Sequence, residues 1–301
     1  MSKVIKLSKE DQFKARLSDI YPNLFTNIVT CLHADVPKTF RVNHLKVISE
    51  DSVVQSLASK GFDIIKSDLH GGYICLNDSS LNRLSDTIES KSMQIYIQEL
   101  SSMIPALALD LRRGDKILDL CAAPGSKTTQ IADILENEAE IIANEQSRDR
   151  FFKLQKILKE YGAIAKTVNE NGKILPYKYK SYVQYFDKIL LDAPCSNESS
   201  LIFGQPESFK YWRSSNSSGL AKLQKGLLAA AISMLKPGGT LVYSTCTFAV
   251  EENESVVDWA LKKFPKVKLV DFRNELPINR LDNLHNGLTE YKDKHFDQSL
   301  S

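Results

Sequence analysis

The sequence predicts an α/β protein: a doubly wound, mostly parallel sheet over residues 106–275, preceded by a small α+β unit. Three features of the chain carry that expectation. From Lys116 onward, near-continuous apolar runs alternate with helical patterns, the texture of strands buried on both faces by crossover helices. The first run leads straight into a glycine-containing strand-to-helix turn, Asp119-Leu120-Cys121-Ala122-Ala123-Pro124-Gly125-Ser126-Lys127-Thr128. Two later runs each deliver a cysteine, in Asp192-Ala193-Pro194-Cys195-Ser196 and Ser244-Thr245-Cys246-Thr247. Both thiols thus fall at the carboxyl ends of strands, where folds of this class bind ligands.

In chain order, residues 1–36 read as a helical lead-in, with Phe13, Leu17, Ile20, Leu24, Ile28 and Leu32 at helical spacing over 10–35. The small unit spans 37–105. In it 40–43 and 46–48 read as strand pieces, 53–59 as a short helix, 62–66 and 72–76 as further strands, and 94–109 as a helix leading out. Arg112-Arg113-Gly114-Asp115 turns the chain into the larger domain. There 116–120 is a strand with a helix from Ser126, and 141–144 a strand with a helix over 149–161. A strand at 188–191, a helix over 220–235, a strand at 241–243 and a helix over 253–264 follow, and 276–301 remain as a tail.

A chain of 301 residues, 43% hydrophobic, has enough apolar surface for a proper core. Its start lacks the apolar stretch of a signal peptide, and no run approaches the ~18 apolar residues of a membrane span, so a cytoplasmic protein is expected. Five cysteines without a CxxC pair argue against a disulfide framework and against a zinc site. Reduced thiols and no metal are the expectation. The net charge of +2 is small for a protein that coats phosphates. Locally, however, eight lysines face three acids between Lys153 and Lys188, interleaved with Tyr161, Tyr177, Tyr179, Tyr182 and Tyr185. Such a stretch either meets phosphates and stacks bases or is a solvated helix followed by a lysine-rich loop.

In the first turn, Gly125 permits close backbone approach, and the amides after it open a helix that welcomes an anionic group. About twenty residues further on, Glu145 ends the second run, the place where an acid accepts hydrogen bonds from ribose hydroxyls. The patterns GxGxxG and GxxxxGK[ST] are absent, which disfavours a dinucleotide or a nucleoside triphosphate. S-adenosylmethionine, with a ribose and a carboxylate but no phosphate, fits better. Cys121 reads as a small packed residue. Lys127 sits in the first turn of a helix, against the dipole, and that unfavourable placement points to a task.

Methylation of carbon 5 of cytosine needs a nucleophile at carbon 6, and a thiolate adds there well. The carbon then becomes enamine-like and accepts the methyl group, after which a base removes its proton and the thiolate leaves. A donor is needed at ring nitrogen 3, a role that suits Asp192 if it is protonated or shares a proton. A second cysteine can help undo the covalent bond.

Arg41-Val42-Asn43, Tyr96-Ile97-Gln98, DLCAAPGSKT at 119–128, DAPCS at 192–196, LKPGG at 235–239, YSTCTF at 243–248 and EENE at 251–254 together resemble the Sun/Fmu family of S-adenosylmethionine-dependent RNA cytosine carbon-5 methyltransferases. The resemblance runs from about residue 40 to residue 265. It implies a Rossmann-like class I methyltransferase domain behind an RNA-recognition-like module. It further implies Cys246 as the nucleophile, Cys195 as the thiol that assists product release, and Lys127 and Asp192 as the reactive lysine and aspartate. Cys121, Ala122, Ala123, Pro124, Gly125, Ser126 and Lys127 would hold the methionine part of the cofactor, Glu145 the ribose, and Arg150 and Asp192 further cofactor contacts. An adenine-contacting Asp-Gly-Arg of the family stands here as Asn171-Gly172-Lys173.

Two departures bear on the reading. The family commonly continues Gly-Glu-Gly after DAPCS, where this chain has Asn197-Glu198-Ser199-Ser200, so the loop above the target base is expected to differ. The closing hairpin near the family's Gly-Phe-Phe pattern is expected to be missing, leaving an exposed sheet edge and apolar surface, as in either a truncated gene product or a fold with a stability penalty. The expected substrate is ribosomal or transfer RNA, bound by a monomer whose target base leaves its stack. The alternatives are an inactive RNA-binding or ribosome-assembly factor and a DNA cytosine methyltransferase using the proline-cysteine thiol.

Overall fold

Two sheets organise the computed structural model, which describes residues 7–33, 36–69, 71–273 and 284–301. The smaller is antiparallel, in the order β2-β3-β1-β4, built from β1 (Lys38–Val42), β2 (Ile64–Lys66), β3 (Gly72–Cys75) and β4 (Ile95–Ile97). Helices α3 (Glu50–Ser59) and α4 (Ile88–Lys91) complete this unit. Ser49 caps α3 by accepting from the Ser52 N–H, and Glu50 and Asp51 suit its positive end. Phe40, Val42, Val53, Leu57, Phe62, Tyr73 and Ile95 close a core of their own.

Two sequence expectations change here. The stretch expected as one helix over 94–109 begins as β4, because Ile95, Tyr96 and Ile97 pair with Val42, Arg41 and Phe40, and only α5 (Leu100–Leu107) is helical. Residues 46–48 are not a strand: the Asn43 carbonyl accepts from both the Lys46 and Val47 N–H groups, which closes a turn.

The larger sheet is wholly parallel, in the order β7-β6-β5-β8-β9, formed by β5 (Lys116–Asp119), β6 (Glu140–Asn144), β7 (Lys166–Val168), β8 (Phe186–Asp192) and β9 (Leu235–Ser244). Strand β7 was not anticipated, since only Val168 of its residues is buried. Alternation divides the strands between two cores. Ile117, Ile141, Ala143 and Leu190 pack against α5, α6 (Ser126–Ile134) and α7 (Arg148–Tyr161). Leu118, Ile142, Ile189 and Leu191 pack against α8 (Leu175–Lys178), α9 (Asn216–Met234) and α10 (Glu254–Lys263). The strand order reverses between β5 and β8, and that switch point opens a crevice at their carboxyl ends.

The lead-in is two helices, α1 (Lys9–Ile20) and α2 (Phe25–His33), broken at Tyr21-Pro22 where proline supplies no N–H. They pack on the larger domain rather than on the small sheet: Phe13 and Leu17 join Leu201, Phe203, Phe209 and Trp212 from the chain after β8. Of the tail expected over 276–301, positions up to 283 lie outside the described residues. Beyond them β10 (Glu290–Tyr291) and β11 (Lys294–His295) form a separate hairpin, and among the described residues no strand pairs with the outer edge of β9.

Candidate active site

The loop after β5 starts the site. Gly125 takes φ +115, a left-handed conformation, and a Cβ there would meet Leu154 at 3.1 Å and Ile157 at 3.2 Å, so the turn into α6 requires glycine. Cys121, Ala122, Ala123 and Pro124 form the turn, and no side chain caps the first amides of α6. Burial pushes the Cys121 thiol well up, consistent with a packed, unreactive residue. Arg150 on α7 ties this loop to the end of β6. It donates to the Ala123 carbonyl, and its other nitrogen lies 3.6 Å from Glu145 Oε2.

Glu145 is buried at the end of β6, with Oε1 accepting from the Ser147 N–H at 2.7 Å and Oε2 turned toward Arg150 only. Asn171 follows β7. Its Oδ1 accepts from the Lys173 N–H at 3.0 Å, leaving the side-chain NH₂ to donate. Gly172 beside it is required by packing, because a Cβ would stand 2.8 Å from Leu227 and 3.1 Å from Leu120.

At the end of β8, Asp192 accepts from Lys127 Nζ at 2.7 Å on one oxygen and from the Ser244 hydroxyl at 2.7 Å on the other. Lys127 also donates to Ser102 on α5 at 3.1 Å. Its unfavourable place at the start of α6 is therefore matched by a carboxylate from the neighbouring strand. The two thiols meet just beyond. Cys195 Sγ lies 3.1 Å from Cys246 Sγ and accepts from the Cys246 N–H at 3.3 Å. This contact splits the two acidities: the hydrogen bond from Cys195, aided by the Lys127 charge and opposed by burial and Asp192, lowers Cys246 to about 7. The same bond, with burial, pushes Cys195 well up. Cys246 is the exposed thiol of the pair and the one disposed to ionise.

Two buried carboxylates that the sequence reading left without a role hold the cysteine loops together. Glu198, 1% exposed, accepts from Trp212 Nε1 at 2.9 Å, the Thr247 hydroxyl at 2.8 Å and the Phe248 N–H at 3.1 Å. Glu252 accepts from the Ser196 N–H at 3.1 Å and from Gln224 Nε2 at 2.8 Å. The EENE run signalled Glu252, and Glu198 stands at the glutamate of the Gly-Glu-Gly that follows DAPCS in the family, though no role was read for it. The lysine- and tyrosine-rich stretch lies elsewhere: Tyr185 donates to Glu140 at the start of β6 and lies under Lys116 at the start of β5, at the opposite end of the sheet from the thiols. Tyr161 and Tyr182 are buried, Lys156 and Lys178 pair with Glu160 and Glu170, and Tyr177 is exposed.

A crevice at the switch point of a parallel sheet in the order β7-β6-β5-β8-β9, with a carboxylate ending β6, defines a Rossmann-like methyltransferase fold. The sequence profile of the 16S rRNA methyltransferase RsmB/F family matches residues 106–290, and the chain belongs to that family. It is 36% identical over 273 residues to ribosomal RNA small subunit methyltransferase F of Pectobacterium atrosepticum, covering 88% of this chain and 55% of the relative. The chain thus spans about half the length of the curated relatives it matches. A methyltransferase homologue from Pyrococcus horikoshii superposes with a TM-score of 0.77 at 31% identity, covering 96% of this chain and 87% of that one. NSun6 from Pyrococcus horikoshii, solved with SFG, gives 0.73 at 25% identity over 83% and 86% of the two chains.

Proposed function

We propose that this chain is an S-adenosylmethionine-dependent RNA methyltransferase that modifies carbon 5 of a cytosine in structured RNA, with ribosomal RNA as the favoured substrate. The observation that carries the reading is the Cys195–Cys246 contact of 3.1 Å beside the Lys127–Asp192 pair. Membership of a ribosomal RNA methyltransferase family supports the substrate class.

The donor set suits the cofactor. The uncapped amides of α6 would hold the cofactor's carboxylate, the free lone pairs of Glu145 would accept from its ribose hydroxyls, and the Asn171 NH₂ would donate to its adenine. Bound there, S-adenosylmethionine supplies an electrophilic methyl group. The protein's own part is to make carbon 5 nucleophilic. Cys246, ionising near neutral pH, adds through sulfur to carbon 6, and the Lys127–Asp192 pair supplies the proton that ring nitrogen 3 takes up as charge moves onto it. A base takes the carbon 5 proton, the Cys246 thiolate is expelled from carbon 6, and ring nitrogen 3 returns its proton to the Lys127–Asp192 pair; Cys195, which stays protonated, assists by hydrogen-bonding the leaving thiolate.

The two thiols separate by substitution. With RNA and cofactor present, Cys246→Ala is expected to give no covalent protein–RNA band on a denaturing gel, and Cys195→Ala a band that persists. Exchange of these outcomes would move the nucleophile to Cys195. Label transfer without any adduct in either variant would remove the covalent mechanism.

A further inference from the structure

The first residue of the departing segment touches the reactive sulfur. Asn197 has φ 56 and ψ 39, the left-handed conformation that glycine adopts freely and that asparagine tolerates well among residues with a side chain. The path of a glycine is therefore kept while an amide is added. Cys246 Sγ lies 3.0 Å from Asn197 Oδ1.

Ser200 decides which end of that amide faces the sulfur. Its hydroxyl donates its single proton to the Asn197 backbone carbonyl at 2.8 Å, so toward the side chain it is an acceptor, and Asn197 Nδ2 donates to it at 2.8 Å. The amide oxygen is left for Cys246. A carbonyl oxygen accepts from a thiol and repels a thiolate.

We propose that Asn197, oriented by Ser200, is a positioning residue that keeps the proton on Cys246 in the resting protein. The proposal rests on Cys246 being the nucleophile. Ionisation requires the amide to turn its NH₂ to the sulfur or to swing away, the proton leaving to solvent on the exposed side of Cys246. The other groups facing this sulfur are Cys195 after β8, Asp192 at its end and Lys127 on α6. The neighbouring carboxylate of Glu198 is taken up by Trp212, Thr247 and Phe248. None of these contacts involves the Asn197 side chain, and the backbone N–H of Asn197, which hydrogen-bonds Cys195, is kept when that side chain is changed.

The experiment is the pH dependence of Cys246 alkylation by iodoacetamide in the full chain, read by peptide mass spectrometry so that Cys195 is counted separately. Asn197→Gly and Ser200→Ala are each expected to move the Cys246 alkylation profile to lower pH, raising alkylation roughly three-fold on its acid limb, at about pH 5.5, the equivalent of about one net hydrogen bond lost from the thiol form. Asn197→Asp is expected to move the profile the other way, toward higher pH. Profiles for Asn197→Gly and Ser200→Ala that superimpose on the wild type would overturn the proposal, whatever Asn197→Asp does. Adduct formation with RNA is measured alongside. Shifted profiles without any wild-type adduct would sink the nucleophile assignment and leave the hold on the sulfur standing, whereas an adduct with unshifted profiles would sink this proposal alone.

Discussion

A carboxylate taken out of water must find donors, and Glu198 finds an indole, a hydroxyl and a backbone amide on two separate loops. Glu198→Ala is expected to lower stability by roughly 2–4 kcal/mol in urea denaturation, because those donors lose their acceptor together. A loss within ~0.5 kcal/mol, the range of an ordinary surface change, would contradict the clamp. Asp119, 1% exposed at the end of β5, behaves differently: burial raises it to about 7, with the Thr128 hydroxyl at 2.6 Å pulling it down. An unfolded aspartate loses its proton near its ordinary value of 3.8, so between there and about 7 the native state holds the extra proton. Stability from this group therefore falls as pH rises through that window. In Asp119→Asn this component vanishes, and the gap in Tm between variant and wild type should swing toward the variant from acid to neutral pH; a constant gap would show that Asp119 does not titrate there. At this scale the sequence revealed Lys127, Asp192, Cys195 and Cys246 because each sits in a contiguous motif at a strand end. Asn197 and Glu198 were not legible as partners of the Cys246 loop, since that loop lies about fifty residues away in the chain.

Between elements, the decisive joint is Arg41 on β1, 3% exposed. Its guanidinium donates to Gln98 at 3.1 Å, to the Thr129 hydroxyl at 2.7 Å and to the Ser126 carbonyl at 3.3 Å, with Asp133 at 3.7 Å and the Tyr96 ring 4.9 Å away. Asn43 adds bonds to the Met93 and Tyr161 carbonyls. The Arg-Val-Asn and Tyr-Ile-Gln motifs thus fasten the small sheet to α6 and α7. Arg41→Met keeps most of the volume but strips the donors, and it is expected to cost roughly 3–5 kcal/mol, as for a broken buried pair. Urea denaturation gives the number, and faster proteolysis between the two sheets should accompany it; unchanged values on both would mean the joint is held elsewhere. The motifs were visible in the sequence, but their use as a joint was not, because the partners of Arg41 lie on α6. The strand β4 was hidden for a related reason: its pairing with β1, rather than its own helical spacing, fixes its conformation.

Across the whole molecule, the lead-in helices back the loop that carries Asn197 and Glu198. Phe13, fully buried, lies 5.2–6.5 Å from the rings of Phe203, Phe209, Trp212 and Phe248, so it contacts both the segment after Cys195 and the one after Cys246. The Arg16–Glu251 ion pair and the Tyr21 hydroxyl on the Phe248 carbonyl at 3.2 Å fix the same helices to the second cysteine loop. Neither arrangement was legible in the sequence, where the apolar spacing of 10–35 announces a buried face without naming what covers it. If the lead-in holds the two loops in register, its effect must reach the thiols. Phe13→Ala is expected to cost roughly 3–5 kcal/mol, as for a buried aromatic removed from a packed cluster. Hydrogen exchange should then quicken over 197–212 and 246–250 while β5 and β6 keep their protection, and Cys195 should become easier to alkylate as its contact with Cys246 loosens. Faster exchange spread evenly over the large sheet would instead assign Phe13 to global stability, and the lead-in would have no particular hold on the site.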